Sequence, residues 1–162
     1  MNIFIEEHQQ MLLALVRHKV KFMLIGGYAV IYHGYARTTG DMDVWLALGN
    51  DNKENLIAAL NTFGIDEESL AILETIDFTT PQNVFYFGKI PRRIDFLTMI
   101  SNVKFEDAFK EAVYFPLEGE QIPVIHYNQL ILSKLTSERM KDKADIEELQ
   151  RINKYKKGKD HD

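Results

Sequence analysis

Asp41 and Asp43 are separated by Met42 and followed by Val44. On a β-strand successive side chains alternate faces, so both carboxylates would point one way while Met42 and Val44 enter a core. The segment Arg93-Ile94-Asp95-Phe96-Leu97 repeats the pattern, with Asp95 on one face and Ile94 and Phe96 on the other. If the two strands are neighbours, three aspartates converge. Two like charges about 4 Å apart repel by roughly 4 kcal/mol at an effective dielectric near 20. Such a cluster persists only if protons are shared or divalent cations bind. Two magnesium (or manganese) ions clamping the attacking and leaving oxygens of an in-line phosphoryl displacement are the chemistry that needs it. Asp95, if it lies nearest the acceptor, would be the general base. A calcium loop does not fit, because Trp45 stands where a third ligand belongs and no glycine follows at the sixth position. A metal-dependent nuclease would want a lysine one or two residues from a strand carboxylate, and Asp95 has Arg93 instead.

Phosphate would be met by Gly26-Gly27. An apolar run ends in these two glycines and a helix follows, which presents free N–H groups and the positive end of a dipole. There is no Gly-Lys-Ser/Thr of a P-loop and no Rossmann fingerprint. Arg37, four residues before Asp41, can grip phosphate or an acidic acceptor with two hydrogen bonds, or can simply be a surface arginine. Tyr28 and Tyr32, four apart, suit either base stacking or the core, and His33 reads as a packed histidine. Lys134 lies beside apolar Leu130, Ile131 and Leu135, where a lysine can snorkel. Asp142 and Asp145 read as a charge network at a helix start. Gly-Gly alone is most often a turn and Asp-x-Asp most often a solvated strand end, so neither carries a function singly.

The elements that must position these residues follow from periodicity and punctuation. Residues 2–18 form an amphipathic helix, 20–25 a buried strand, 28–35 a short helix and 41–48 the strand with the first two aspartates. Helices follow at 53–63, stopped by Gly64, and at 66–73. Strands 84–87 and 94–97 make an antiparallel hairpin, 105–113 is a helix, and 121–125 is a strand that Pro123 places at an edge. Helices at 127–138 and 141–155 close the chain, and 156–162 reads as a frayed basic tail, its Asp160-His161-Asp162 end a weak site for stray metal. The expected architecture is α/β (α+β): a mixed sheet of about five strands flanked by helices, with a short C-terminal helical extension. A single domain would cover 1–155, its core about 20–126 and its C-terminal helices about 127–155.

Composition sets the bounds. At 162 residues, one domain can bury a core without disulfides. With no cysteine there is no thiol nucleophile and no Cys-based zinc site, and a reducing compartment fits. Two early glutamates argue against a signal peptide, and the apolar run near 22–32 is too short to span a bilayer, so a cytoplasmic protein without membrane contact is expected. The net charge of −5 argues against bulk duplex DNA as the main partner, with Arg151 and the lysines of the tail a local basic patch suited to RNA phosphates.

The order of the pieces is more specific than any of them. A strand, Gly26-Gly27, thirteen residues, Asp41-Met42-Asp43 on a strand and a later strand-borne Asp95 resemble the DNA polymerase beta-like nucleotidyltransferase superfamily. The block from Gly26 to Asp43, with His33-Gly34 and Arg37-Thr38-Thr39 before the Asp-x-Asp, looks like the small bacterial branch that contains AbiEii-type toxins. Lys134-Leu135, Arg139-Met140-Lys141-Asp142 and Asp145-Ile146 are similar to that branch's C-terminal segment, so the likeness touches about residues 20–150. The resemblance implies transfer of an NMP from an NTP such as ATP to a hydroxyl on RNA, protein or a small molecule, with release of pyrophosphate. It implies that Gly26 and Gly27 border the triphosphate, that Asp41, Asp43 and Asp95 hold the metals, and that Lys134 reaches the phosphates. By the same analogy the acceptor would be tRNA or a partner protein, in a toxin–antitoxin setting. Many members of the superfamily have Ser after the first glycine, and here Gly27 offers only its backbone N–H. The competing reading is a non-catalytic nucleotide- or partner-binding module of a toxin–antitoxin type pair.

Overall fold

The structure, a computed structural model, describes residues 3–160. The start of the first helix as read from the sequence, and residues 161–162 of the tail, lie outside these. One mixed sheet of six strands organises the fold, in the order β3-β4-β2-β1-β6-β5. The strands are β1 (Phe22–Ile25), β2 (Met42–Leu46), β3 (Asn83–Phe87), β4 (Ile94–Leu97), β5 (Val113–Leu117) and β6 (Glu120–Val124). β1 runs antiparallel to β2 and parallel to β6, β2 runs parallel to β4, and β3–β4 and β5–β6 are antiparallel pairs. Around the sheet stand α1 (Glu6–Arg17), α2 (Gly26–Tyr32), α3 (Asn50–Phe63), α4 (Glu67–Glu74), α5 (Phe105–Lys110), α6 (Tyr127–Lys134) and α7 (Met140–Asp160).

The two central strands are built as their alternation requires. Met42 and Val44 of β2 and Ile94 and Phe96 of β4 are fully buried, while Asp43 and Asp95 are half-buried on the other face. Burying a side chain of this size contributes about 1.5–3 kcal/mol, so a one-residue slip of either strand would forfeit several such terms. Farther along β2, Trp45 faces the same way as Asp43 and packs edge-on against Phe105 of α5, ring centroids 5.2 Å apart. That face is therefore covered at one end and open at the aspartate end. Helix boundaries have local causes. Gly64 ends α3 in the left-handed conformation (φ +108°), its N–H donating to Leu60. Asp66 caps α4 by accepting from the Ser69 N–H at 3.0 Å.

Four expectations are corrected. The sheet has six strands, because the helix expected over 105–113 stops at Lys110 and the chain turns into β5, where Val113 and Phe115 face inward and Tyr114 and Pro116 outward. β6, expected at an edge because of Pro123, is an inner strand that β5 covers. α2 begins at Gly26 itself, not at Tyr28. The last helix continues through 156–160, where the sequence reads as fraying. Among the described residues no helix is long and apolar enough to cross a membrane.

Candidate active site

The site lies where β2 and β4 run side by side. In the parallel register Asp43 pairs with Asp95, which places two carboxylates on one face of adjacent strands about 4.8 Å apart in backbone spacing. The row continues on both sides, to Ile25 of β1 opposite Asp43 and to Tyr86 of β3 opposite Asp95. A cleft of about 650 Å³ opens over this row, lined by Asp43 and Asp95 with Arg93 and Tyr86.

Asp43 is the electrostatically unsatisfied group. Burial, then the neighbouring charges of Asp95 and Asp41, push its carboxyl up to about 6, against the weaker pull of Lys134 and Arg139. A carboxylate in that state gains from a cation, and its hard oxygen donors suit magnesium or manganese. Asp95 has a partner, Arg93, whose Nε donates to Oδ2 at 3.1 Å. Asp41 stands one residue before β2 rather than on it, and its Oδ1 accepts from the Arg93 backbone N–H at 2.9 Å. Asp41 and Asp43 are therefore not both on β2 as expected. Asp41 instead ties the entrance of β2 to that of β4, near enough to Asp43 to raise its carboxyl. Among the described residues no three acidic or histidine side chains are gathered around one point. Asp43 and Asp95 are the pair brought together, with Asp41 beside them.

The glycines fit this geometry for steric reasons. Gly26 has φ +67°, and a Cβ there would run into the Asp43 carboxylate, whose Cγ would lie 3.0 Å away. Asp43 thus sits directly against the first turn of α2, whose leading N–H groups have no partner within the helix. At Gly27 a Cβ would strike the Thr39 hydroxyl and come within 3.4 Å of an Arg37 nitrogen. The space a serine would need is already filled by Thr39.

Arg37 and Lys134 belong to one buried ion network rather than to open space. Arg37 Nε lies 2.9 Å from Asp145 Oδ1 as an ion pair, though not at hydrogen-bonding angles, and its Nη2 donates to Oδ2 at 3.2 Å. Lys134 Nζ donates to Asp142 Oδ1 at 2.7 Å and lies 3.2 Å from Asp145 Oδ2. Asp142 also accepts from Ser137 at 2.6 Å and from Arg139 at 2.8 Å. Burial alone would raise the Asp142 carboxyl, but Lys134, Ser137 and Arg139 outweigh it and hold it at about 2. Three cations face two carboxylates, so the network leaves positive potential beside Asp43, which Lys134 and Arg139 pull downward.

Other residues gain roles that their positions in sequence did not reveal. His8 is fully buried, 84 residues from Arg92, and its Nε2 lies 3.0 Å from the Arg92 carbonyl oxygen. A carbonyl only accepts, so Nε2 donates and Nδ1 accepts the Tyr28 hydroxyl at 2.7 Å. Burial pushes the His8 pKa below its ordinary value, in keeping with a neutral ring. Of the two readings of Tyr28 the core holds, and His33 is packed, as expected, and bonded to the Ile125 carbonyl at 2.7 Å. The one forward signal of the hairpin's importance was its run of cations, Lys89, Arg92 and Arg93.

A family model described as "Nucleotidyl transferase of unknown function (DUF2204)" matches residues 5–160. No curated protein matches the chain.

Proposed function

The chain belongs to this DUF2204 family of nucleotidyl transferases, and on that premise we propose that it moves an NMP from an NTP to an acceptor hydroxyl, releasing pyrophosphate, in a metal-dependent reaction. The observation that supports it most is the Asp43–Asp95 pair, in register on neighbouring strands and set against the glycine start of α2. In this reading Asp43 and Asp95, with Asp41, hold magnesium or manganese, which when bound neutralises charge on the phosphates. Gly26 and Gly27 border the triphosphate through backbone N–H groups. Arg37 and Lys134 supply positive potential from behind, through the network with Asp142 and Asp145. The acceptor oxygen attacks the α-phosphorus, the new O–P bond forms as the bond to the pyrophosphate oxygen breaks, and the acceptor proton passes to the Asp95 carboxylate. ATP is the donor to test first, and a cytoplasmic setting suits a chain without cysteine.

The resemblance of the Gly26–Asp43 block to AbiEii-type enzymes supports a toxin–antitoxin setting, with tRNA or a partner protein as acceptor. Induced expression would then arrest growth with the wild type and not with Asp43→Asn. The direct experiment incubates the protein with each α-labelled NTP, magnesium or manganese, total tRNA and cell extract. Label transfer should appear with the wild type and fall at least about 100-fold in Asp43→Asn and Asp95→Asn. Transfer that persists in both variants, or no NTP binding with metal present, removes the proposal.

A further inference from the structure

We infer that the β3–β4 hairpin is the acceptor platform and that it takes the end of a single-stranded nucleic acid, one base stacked on Tyr86 and the neighbouring phosphates held by Lys89 and Arg92. This rests on the transfer reading above and names the acceptor class for the same site. Tyr86 is 63% exposed on the edge strand β3, and it stands directly opposite Asp95 in the register. The Arg93 guanidinium lies over its ring, 5.0 Å from the centroid, while Arg93 Nε reaches Asp95. One exposed aromatic face and one guanidinium therefore border the same cleft as the acid pair. Every nucleobase has a π-face, so such a surface accepts bases without demanding a sequence.

The charge of the connecting loop points the same way. The chain as a whole carries −5, yet Gly88-Lys89-Ile90-Pro91-Arg92-Arg93 holds three cations and no acid. Lys89 and Arg92 are exposed and form no ion pair among the described residues. Phosphates of a flexible strand are the complement of cations spaced beside an aromatic surface, whereas an acidic peptide would leave the exposed ring unused.

The platform is also preorganised. From α1 the His8 Nε2–H donates to the Arg92 carbonyl, the Arg92 N–H donates to the Lys89 carbonyl at 2.8 Å, and Asp41 accepts from the Arg93 N–H. Gly40 lies so close to the Pro91 carbonyl that no side chain would fit between them. The backbone is fastened from three directions while the ring and the two cations face outward. Fixing the loop before binding removes an ordering cost from the encounter.

The test needs neither NTP nor turnover. Fluorescence anisotropy with a labelled single-stranded RNA of about 12 nucleotides, its DNA counterpart and a duplex control would be followed between about 50 and 200 mM salt. We expect single strands to bind better than duplex, Tyr86→Ala to weaken binding about ten-fold, and Tyr86→Phe to keep it. Lys89→Ala and Arg92→Ala should each flatten the slope of log K against log salt by about 0.7. All three positions tested lie on exposed surface, so loss of folding does not confuse the result. Absence of single-strand binding, or binding indifferent to Tyr86→Ala, overturns the platform. The two readings separate cleanly. Label transfer to a protein without oligonucleotide binding sinks the platform and leaves the transferase. Binding through Tyr86 without any NTP turnover sinks the proposed reaction and leaves the platform.

Discussion

At the scale of single residues, Asp43 concentrates the conflict between stability and chemistry. Its carboxyl titrates at about 6 in the fold against an ordinary 3.8, so the fold prefers the protonated form. The sign follows from linkage: the folded pKa is raised, so the contribution to stability is present below the unfolded pKa and is lost as pH rises through about 6. In metal-free buffer at about pH 8, Asp43→Asn should therefore stabilise the protein by on the order of 1–3 kcal/mol, and the gain should vanish near pH 4, where the aspartate is neutral. Urea unfolding with a chelator at the two pH values measures this, and equal stability of the two proteins at pH 8 would mean that the carboxylate is already compensated. Asp41 behaves differently. Its link to the Arg93 N–H makes it a joint between strands as much as a ligand, and nothing in Asp-Met-Asp distinguishes the two aspartates.

At the scale of elements, the glycine start of α2 and the edge of β2 are one unit. Gly26 combines a left-handed backbone with the absence of a Cβ in the space of the Asp43 carboxylate. Gly26→Ala meets both obstacles. Positive φ costs an L-residue about 1–2 kcal/mol, and the contact adds to it. The denaturant midpoint should fall by the equivalent of at least about 2 kcal/mol at unchanged m-value, with NTP binding lost as well. A variant as stable as the wild type would show that the chain relaxes there without cost. The sequence reading anticipated the hairpin of β3 and β4 and the strand character of the aspartates, because alternation over a few residues is a local property. It placed a helix over residues 105–113, of which the fold keeps Phe105–Lys110. The pairing that turns Val113–Leu117 into β5 is supplied by Glu120–Val124, across a turn through Gly119.

At the scale of the whole molecule, the C-terminal helix is attached to the site through charge. Arg37 and Asp145 are 108 residues apart in the chain, and their pair, shared with Lys134, carries the loop before Asp41 onto α7. Asp145 is 1% exposed, so Asp145→Asn leaves Arg37 and Lys134 with one buried carboxylate fewer. Breaking such a pair costs about 3–5 kcal/mol. Urea unfolding should show a loss of that order, and amide exchange should speed up in α7 and in the 35–40 loop together. Faster exchange in α7 alone would mean that the loop does not depend on the helix. The same long-range logic divides what the chain shows on its face from what it hides. The sequence by itself determined the family's block of glycines and aspartates, the faces of β2 and β4, the mixed α/β class and the absence of thiol chemistry, since spacing and composition are written along the chain. Only the tertiary structure decided that Asp95 lies beside Asp43 while Asp41 turns to Arg93, that Thr39 fills the space beside Gly27, that Lys134 is held between two aspartates, and that His8 anchors the loop carrying Arg92. Each of these joins residues with no periodic relation in sequence, and a contact between distant residues is settled by packing and strand order, which no local spacing encodes.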